Sequence, residues 1–281
     1  MLNDRTVRTG RSLVTFHNLD DIIGAIPADI AGQGQPALIH DGAVQEWAWE
    51  NAHLYVTADP AGFDNLRRFA EHGATLSNAL ATAGVATPNI LGHDLGGETG
   101  WVAVSAGGDK PAASAPDERL ITPIIPLVVA ALAGAPGQAE PVYRLDAVAG
   151  QTEQRLAASG LKQADRLIAD LREARSIETD KPSWVHGRLS PLTISTVASS
   201  VFVDGWTDLG YGDPAADLAA IALSMPAEDR AAAGEYGELL GVDLGEATLA
   251  RMAGWTAYHI ATLLAGTEAE RARAIDVAER L

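Results

Sequence analysis

The stretch Ala106 to Pro116, AGGDKPAASAP, separates two hydrophobic periods, and that change of period limits the folds open to the chain. Before it, from Ser12 to about Val104, apolar residues come in short runs broken by Gly, Asp and Pro, as strands and hairpins require. Ala37 to His40, Gln45 to Trp49 and His53 to Thr57 read as three strands, with His40-Asp41-Gly42 as a turn in which Gly takes positive φ. One helix interrupts them, its apolar positions running from Phe63 to Ala83 at helical spacing with Gly84 as the stop. Asn89 to Leu91 and Gly100 to Ser105 return to strand character. After the stretch the chain turns helical: Ile124 to Leu132, a longer helix Gln151 to Ile177 broken or bent near Gly160, Pro214 to Leu223, Ala227 to Leu240, Ala247 to Leu264 and Glu268 to Leu281. Between Trp184 and Val203 lie a loop and a short hairpin. The reading is α+β in two lobes: a β-rich N-lobe with one main helix (1–105), a hinge (106–116) and a mostly α-helical C-lobe carrying a short hairpin (117–281).

Charge and composition remove several functional classes. The 281 residues carry 20 Lys and Arg against 37 Asp and Glu, a formal charge of −17 that repels nucleic-acid backbones and anionic lipid. With no cysteine, disulfides, thiolate metal sites and a cysteine nucleophile are excluded. No uncharged apolar run reaches the roughly 18 residues of a membrane span, and the first residues lack a signal-peptide core, so an acidic, cytoplasmic protein is expected. Lysine is scarce: Lys110, Lys162 and Lys181 are the only three.

The most informative segment is Trp184 to Ala220, WVHGRLSPLTISTVASSVFVDGWTDLGYGDPAADLAA. It resembles the catalytic and metal loops of the aminoglycoside phosphotransferase and choline kinase-like superfamily, whose pattern is His-Gly-Asp, x-His-Pro-x-Asn, Ile-Asp-Trp, then Gly-Asp-Pro-x-x-Asp-Leu-Ala. His186-Gly187, Pro191, Ile194, Trp206 and Tyr211-Gly212-Asp213-Pro214-Ala215-Ala216-Asp217-Leu218-Ala219 match in order. The resemblance implies a protein kinase-like two-lobe fold, agreeing with the periodicity, and phosphotransferase ancestry.

The residues that would perform the chemistry depart from that pattern. Phosphoryl transfer of this kind needs a carboxylate at the attacking hydroxyl, an amide and a second carboxylate on Mg²⁺, and a cation on the phosphates. In this sequence those positions fall on Arg188, Thr193 and Gly205, and the intervening His falls on Ser190. The strand expected to present a lysine reads Ala52-His53-Leu54-Tyr55-Val56-Thr57. The glutamate that would pair with it falls near Gly73, or on Glu71 with a small offset. Arg188 is a permanent cation and can neither take a proton nor tolerate Mg²⁺.

A pseudokinase is therefore expected, acting as a binding or scaffolding subunit for a protein, peptide or small-molecule ligand, with no cofactor and no metal. Its ligand cleft would draw on His186, Arg188, Ser190, Thr193, Asp204, Trp206 and Asp208. Arg188 is expected to pair with Asp204 or Asp208, or to receive an anionic group. Asp213, an N-cap before Pro214, and Asp217, one turn later, are expected to be structural. His259 and the tryptophans Trp47, Trp49, Trp184 and Trp206 are read as core. The alternative is a divergent phosphotransferase that holds Mg-ATP through Asp204 and Asp208 and acts on a small-molecule or peptide hydroxyl.

Overall fold

Strand β3 (Ala52–Thr57) is buried at every residue, because its two faces meet different partners. In the computed structural model it lies inside a five-stranded sheet with β1 (Ala37–His40), β2 (Gln45–Ala48), β5 (Ile90–Asp94) and β6 (Gly100–Ser105), in the order β1-β2-β3-β6-β5. Every pairing in this sheet is antiparallel. Leu54 and Val56 pack outward with Ile26, Trp49, Trp101 and Ala103, whereas Tyr55 faces the rest of the molecule. The structure describes residues 23–24, 26, 36–40, 43–49, 52–105, 124–179, 181–189, 193–197, 200–224, 245–266 and 268–281. The expected hinge 106–116, the helix Ala227 to Leu240, Ser190 and the Asp41-Gly42 turn lie outside them.

Helix α1 (Pro60–Thr82) begins where the Asp59 carboxylate accepts the Ala61 and Gly62 N–H groups, with proline in its first turn, and ends before Gly84 at φ 78°. Leu66, Phe69, Leu76 and Leu80 form one stripe, and that stripe shares a core with Trp184, Leu189, Val203 and Trp206 of the second lobe. From α1 the chain enters β4 (Val85–Ala86), which pairs in parallel with β9 (Ser200–Val203) of the hairpin that β9 forms with β8 (Ile194–Val197). This three-stranded sheet between the lobes is absent from the sequence reading.

The helical lobe packs around α6 (Glu246–Leu264), against which α3 (Leu145–Ala158), α4 (Ala164–Ala174), α5 (Ala215–Ser224) and α7 (Glu268–Glu279) are set; α2 (Ile124–Gly134) instead lies between α1 and the short strand β7 (Ser183–Val185). The long helix expected over Gln151 to Ile177 is two helices. Gly160 takes φ 71° and the Ser159 hydroxyl accepts the Leu161 N–H, so the chain stops and restarts, and Leu156 and Leu171 can both reach the core beside α6. Trp184 and Trp206 lie in the core between the lobes and Trp49 behind the sheet, in separate clusters. His259 Nε2 meets the Ala216 carbonyl at 2.9 Å. Among the described residues no helix is long and apolar enough to cross a membrane.

The seat of α1 on the sheet is tight at Gly62. A β-carbon there would lie 2.1 Å from Thr57 Oγ1 and 2.5 Å from the Ala43 carbonyl, which Thr57 itself donates to at 2.6 Å. Gly62→Ala is expected to destabilise the protein by about 1–3 kcal/mol, as overpacking does, measured as a lower urea midpoint at unchanged slope.

Candidate functional site

The loop after β7 is built on a buried carboxylate. Asp217, on the first turn of α5, accepts the backbone N–H of His186 at 2.7 Å and of Gly187 at 2.9 Å. Gly187 is at φ 83°, with Tyr143 Oη and the Asp208 carbonyl where a β-carbon would stand. This fixes the direction in which Arg188 leaves the loop. His186 is fully buried; its Nδ1 accepts the Arg188 N–H at 3.2 Å and its Nε2 donates to the Asp204 carbonyl at 3.0 Å. Those two bonds select the neutral Nε2–H tautomer. Burial, reinforced by the Arg188 charge, pushes the ring down to about 4, so His186 holds the loop and is uncharged at neutral pH.

The Arg188 guanidinium points between the lobes. Its Nη1 donates to Thr207 Oγ1 at 2.8 Å and lies 3.5 Å from Glu46 Oε2, while its Nε is 3.7 Å from Asp208 Oδ2. The expected partner Asp208 is present. The other partner is Glu46 of β2 and not Asp204, because Asp204 is turned the other way. Burial, with the Arg188 charge second, also lowers His40 on β1.

Asp204 follows β9 and is 1% exposed. Its Oδ1 accepts the Tyr55 hydroxyl at 2.8 Å and the Gly205 N–H at 2.7 Å, and its Oδ2 lies 3.0 Å from His53 Nδ1. The same His53 nitrogen is 3.2 Å from Glu46 Oε1. Antiparallel register explains the meeting: Glu46 faces Tyr55 and Ala48 faces His53, so Glu46 and His53 are diagonal neighbours on the inner face of the sheet. Burial and the adjacent Asp204 charge raise the Tyr55 phenol well above its usual value, keeping it a donor. Gly205 follows at φ 80°, ψ 38°, and a β-carbon there would sit 2.9 Å from Thr193 Cγ2 and 4.0 Å from Arg188 Nη1. Thr193 closes the turn, its carbonyl accepting the Asp204 N–H at 2.9 Å and its hydroxyl donating to the Arg188 carbonyl at 3.4 Å.

Trp206 lies between the rings of Phe69, stacked at 6.2 Å, and His186 at 4.4 Å, with its indole N–H on the Val203 carbonyl. Helix α1 is hydrogen-bonded to the turn that follows, through Asn65 Nδ2 to the Thr207 carbonyl and Arg68 Nε to the Leu209 carbonyl, both at 3.1 Å. It presents no carboxylate to the sheet. Gly73 is packed on Phe69 and Ile90, and Glu71 is 59% exposed.

Thus His186, Arg188, Thr193, Asp204, Trp206 and Asp208 gather at one junction. Asp213 lies in the helical core, between α5 and α6. Its carboxylate is more than an N-cap: besides the Ala215 N–H at 3.1 Å it accepts Trp255 Nε1–H at 2.9 Å and Arg251 Nε at 3.3 Å, tying α5 to α6. The residues missed by sequence reading are Glu46, His53 and Tyr55. The signal was present in β3, where His53, Tyr55 and Thr57 recur at every second position.

No family model and no curated protein sequence matches the chain. Solved structures do. An aminoglycoside-3'-phosphotransferase of type VIII is 20% identical with TM-score 0.58, covering 86% of this chain and 99% of its own. The GDP and kanamycin complex of APH(2")-IIia is 15% identical with TM-score 0.63, covering 89% and 92%. A choline/ethanolamine kinase family protein from Mesorhizobium loti is 15% identical with TM-score 0.51, covering 92% and 97%. The chain therefore has the two-lobe, kinase-like fold of these structures, as the Trp184 to Ala220 segment led one to expect.

Two outcomes test the scaffold of the site. Asp213→Ala leaves Arg251 buried without its partner and is expected to destabilise the protein by about 3–5 kcal/mol, the range for a broken buried pair, against the 0.5–2 kcal/mol of a simple cap; urea denaturation distinguishes the two. Burial pushes Asp217 up to about 7 in spite of its two backbone donors. A carboxyl raised on folding contributes fully below its unfolded pKa of about 4, and that contribution is lost as pH climbs through the folded value. Between pH 5 and pH 8 the wild type should lose on the order of 2 kcal/mol more than Asp217→Asn, read from urea midpoints of both proteins.

Proposed function

We propose that this chain is a pseudokinase, a protein of kinase-like fold that transfers no phosphate and serves as a binding or scaffolding subunit for a peptide, a small molecule or a partner enzyme. The observation that carries the reading is the setting of Arg188. It stands where the resemblance expects the proton-accepting carboxylate, and Thr207, Glu46 and Asp208 hold its guanidinium in the junction. A guanidinium accepts no proton from an attacking hydroxyl and repels a magnesium ion beside it. Among the described residues, no neighbouring group supplies the remaining requirements in an evident way. The inner face of β3 offers His53, Tyr55 and Thr57 to the phosphates, and Thr193 and Gly205 stand where an amide and a carboxylate would hold the metal. Asp204 and Asp208, the carboxylates a divergent enzyme would use, are drawn to different partners, Tyr55 and His53 for the first and Arg188 and Thr207 for the second.

The purified chain should transfer no phosphate from ATP or GTP to itself, to aminoglycosides or to small alcohols, and MgATP should leave its melting temperature unchanged. Turnover above the no-protein control that disappears in Asp204→Ala would instead establish a divergent phosphotransferase. The combined variant Arg188→Asp, Thr193→Asn, Gly205→Asp should acquire MgATP-dependent stabilisation measurable by calorimetry. Aspartate is among the few residues that tolerate the left-handed backbone at 205.

A further inference from the structure

Glu46, His53 and Asp204 are all buried, and one donor atom from each lies within 4.8 Å of the other two. They come from β2, β3 and the residue that follows β9, and therefore from both lobes. The two carboxylates are held alike. Each directs one oxygen at His53 Nδ1, Oε1 of Glu46 at 3.2 Å and Oδ2 of Asp204 at 3.0 Å. Each gives its other oxygen to an outer partner: Oε2 of Glu46 to Arg188, Oδ1 of Asp204 to the Tyr55 hydroxyl and the Gly205 N–H. The two oxygens stand 3.0 and 3.2 Å from the nitrogen, a few tenths of an ångström inside the roughly 3.3–3.4 Å that separates donors about 2.0–2.1 Å from zinc in a tetrahedron, so a small outward shift of the side chains would admit one cation. Carboxylates oriented from behind by hydrogen bonds are the usual surroundings of such a centre. Two carboxylates and a neutral imidazole also balance a divalent charge in this buried place, whereas an anionic or phosphate-bearing ligand would meet both carboxylates first.

We propose that Glu46, His53 and Asp204 form a binding site for a divalent transition-metal ion of the zinc class, which staples the β-sheet of the first lobe to the end of β9 in the second. The imidazole ligand favours zinc, cobalt or nickel over magnesium, which prefers oxygen donors and retains its water. The site lies off the positions, Thr193 and Gly205, at which the resemblance places a nucleotide-bound metal, and it needs no nucleotide.

The test uses the full chain, stripped with chelator and then titrated with ZnCl₂ in a calorimeter, with MgCl₂ as the comparison. The expected result is one zinc per chain, a rise of several degrees in melting temperature with zinc, and none with magnesium. Glu46→Gln and Asp204→Asn keep side-chain shape while removing charge, and each should weaken zinc binding at least tenfold; His53→Ala should abolish it. No stoichiometric zinc, or zinc binding that survives in all three ligand variants, overturns the proposal and leaves the cluster as a hydrogen-bonded latch in which a protonated His53 bridges two carboxylates. Phosphate transfer is scored separately, so the outcome for zinc stands whether or not the pseudokinase reading does.

Discussion

The arrangement of the molecule depends on one buried carboxylate of the second lobe that reaches into the first. Asp204 lies at the end of β9 in the second lobe, yet its side chain is held by Tyr55 and His53 of the first. Hydrogen bonds to an ionised acceptor in a water-poor junction are worth more than their surface counterparts, and losing one partner there leaves a buried charge uncompensated. Around this contact the other parts take their positions. Trp206 stacks on Phe69, α1 bonds to the turn at Thr207 and Leu209, and β4 adds to the hairpin that carries Asp204. The lobes are thus fastened by polar groups as well as by the apolar core between them.

Arg188 makes sense in that setting. Glu46 is buried on the sheet, and a buried carboxylate needs a cationic or hydrogen-bonding neighbour. The loop that Asp217 fixes delivers one, and the partly exposed Asp208 balances the other side of the guanidinium. Arg188 and the carboxylate of Glu46 are parts of one local balance, so neither is a neutral place for substitution.

How much of this was legible before the fold was known follows from the range of each signal. Strands β1 to β3, helix α1 with its Gly84 stop, and α6 were readable because period and end signals are local. The frame from His186 to Ala219 was readable as a pattern, and it placed Arg188, Thr193 and Gly205 on one loop system. At Gly160 a break and a bend both stayed open, because a single glycine inside an amphipathic run does not reveal whether the chain resumes its direction; the left-handed φ there decides for the break. Glu46, His53 and Tyr55 escaped because polar residues at every second position of a strand ordinarily mean a solvent-facing side. Here that side is covered by the second lobe, which no local pattern announces. The role of Asp213 was underestimated for the same reason: Trp255 and Arg251 are remote in sequence.

The parallel pairing of Val85 and Ala86 with Val201 and Phe202 has a bearing on how the chain reaches its native state. Parallel strands cannot be closed by a hairpin, and this pair joins segments between which β5, β6 and the helices α2, α3 and α4 intervene. The Tyr55 to Asp204 bond spans 149 residues of sequence. Contacts of such high sequence separation form late, after the loop-closure entropy has been met, and they make folding slow and cooperative. The first lobe, synthesised on its own, would hold β4 without its neighbour and the stripe from Leu66 to Leu80 without its cover. The architecture has two lobes to the eye, but it is a single unit in folding: neither half is complete until the end of β9 has left the ribosome.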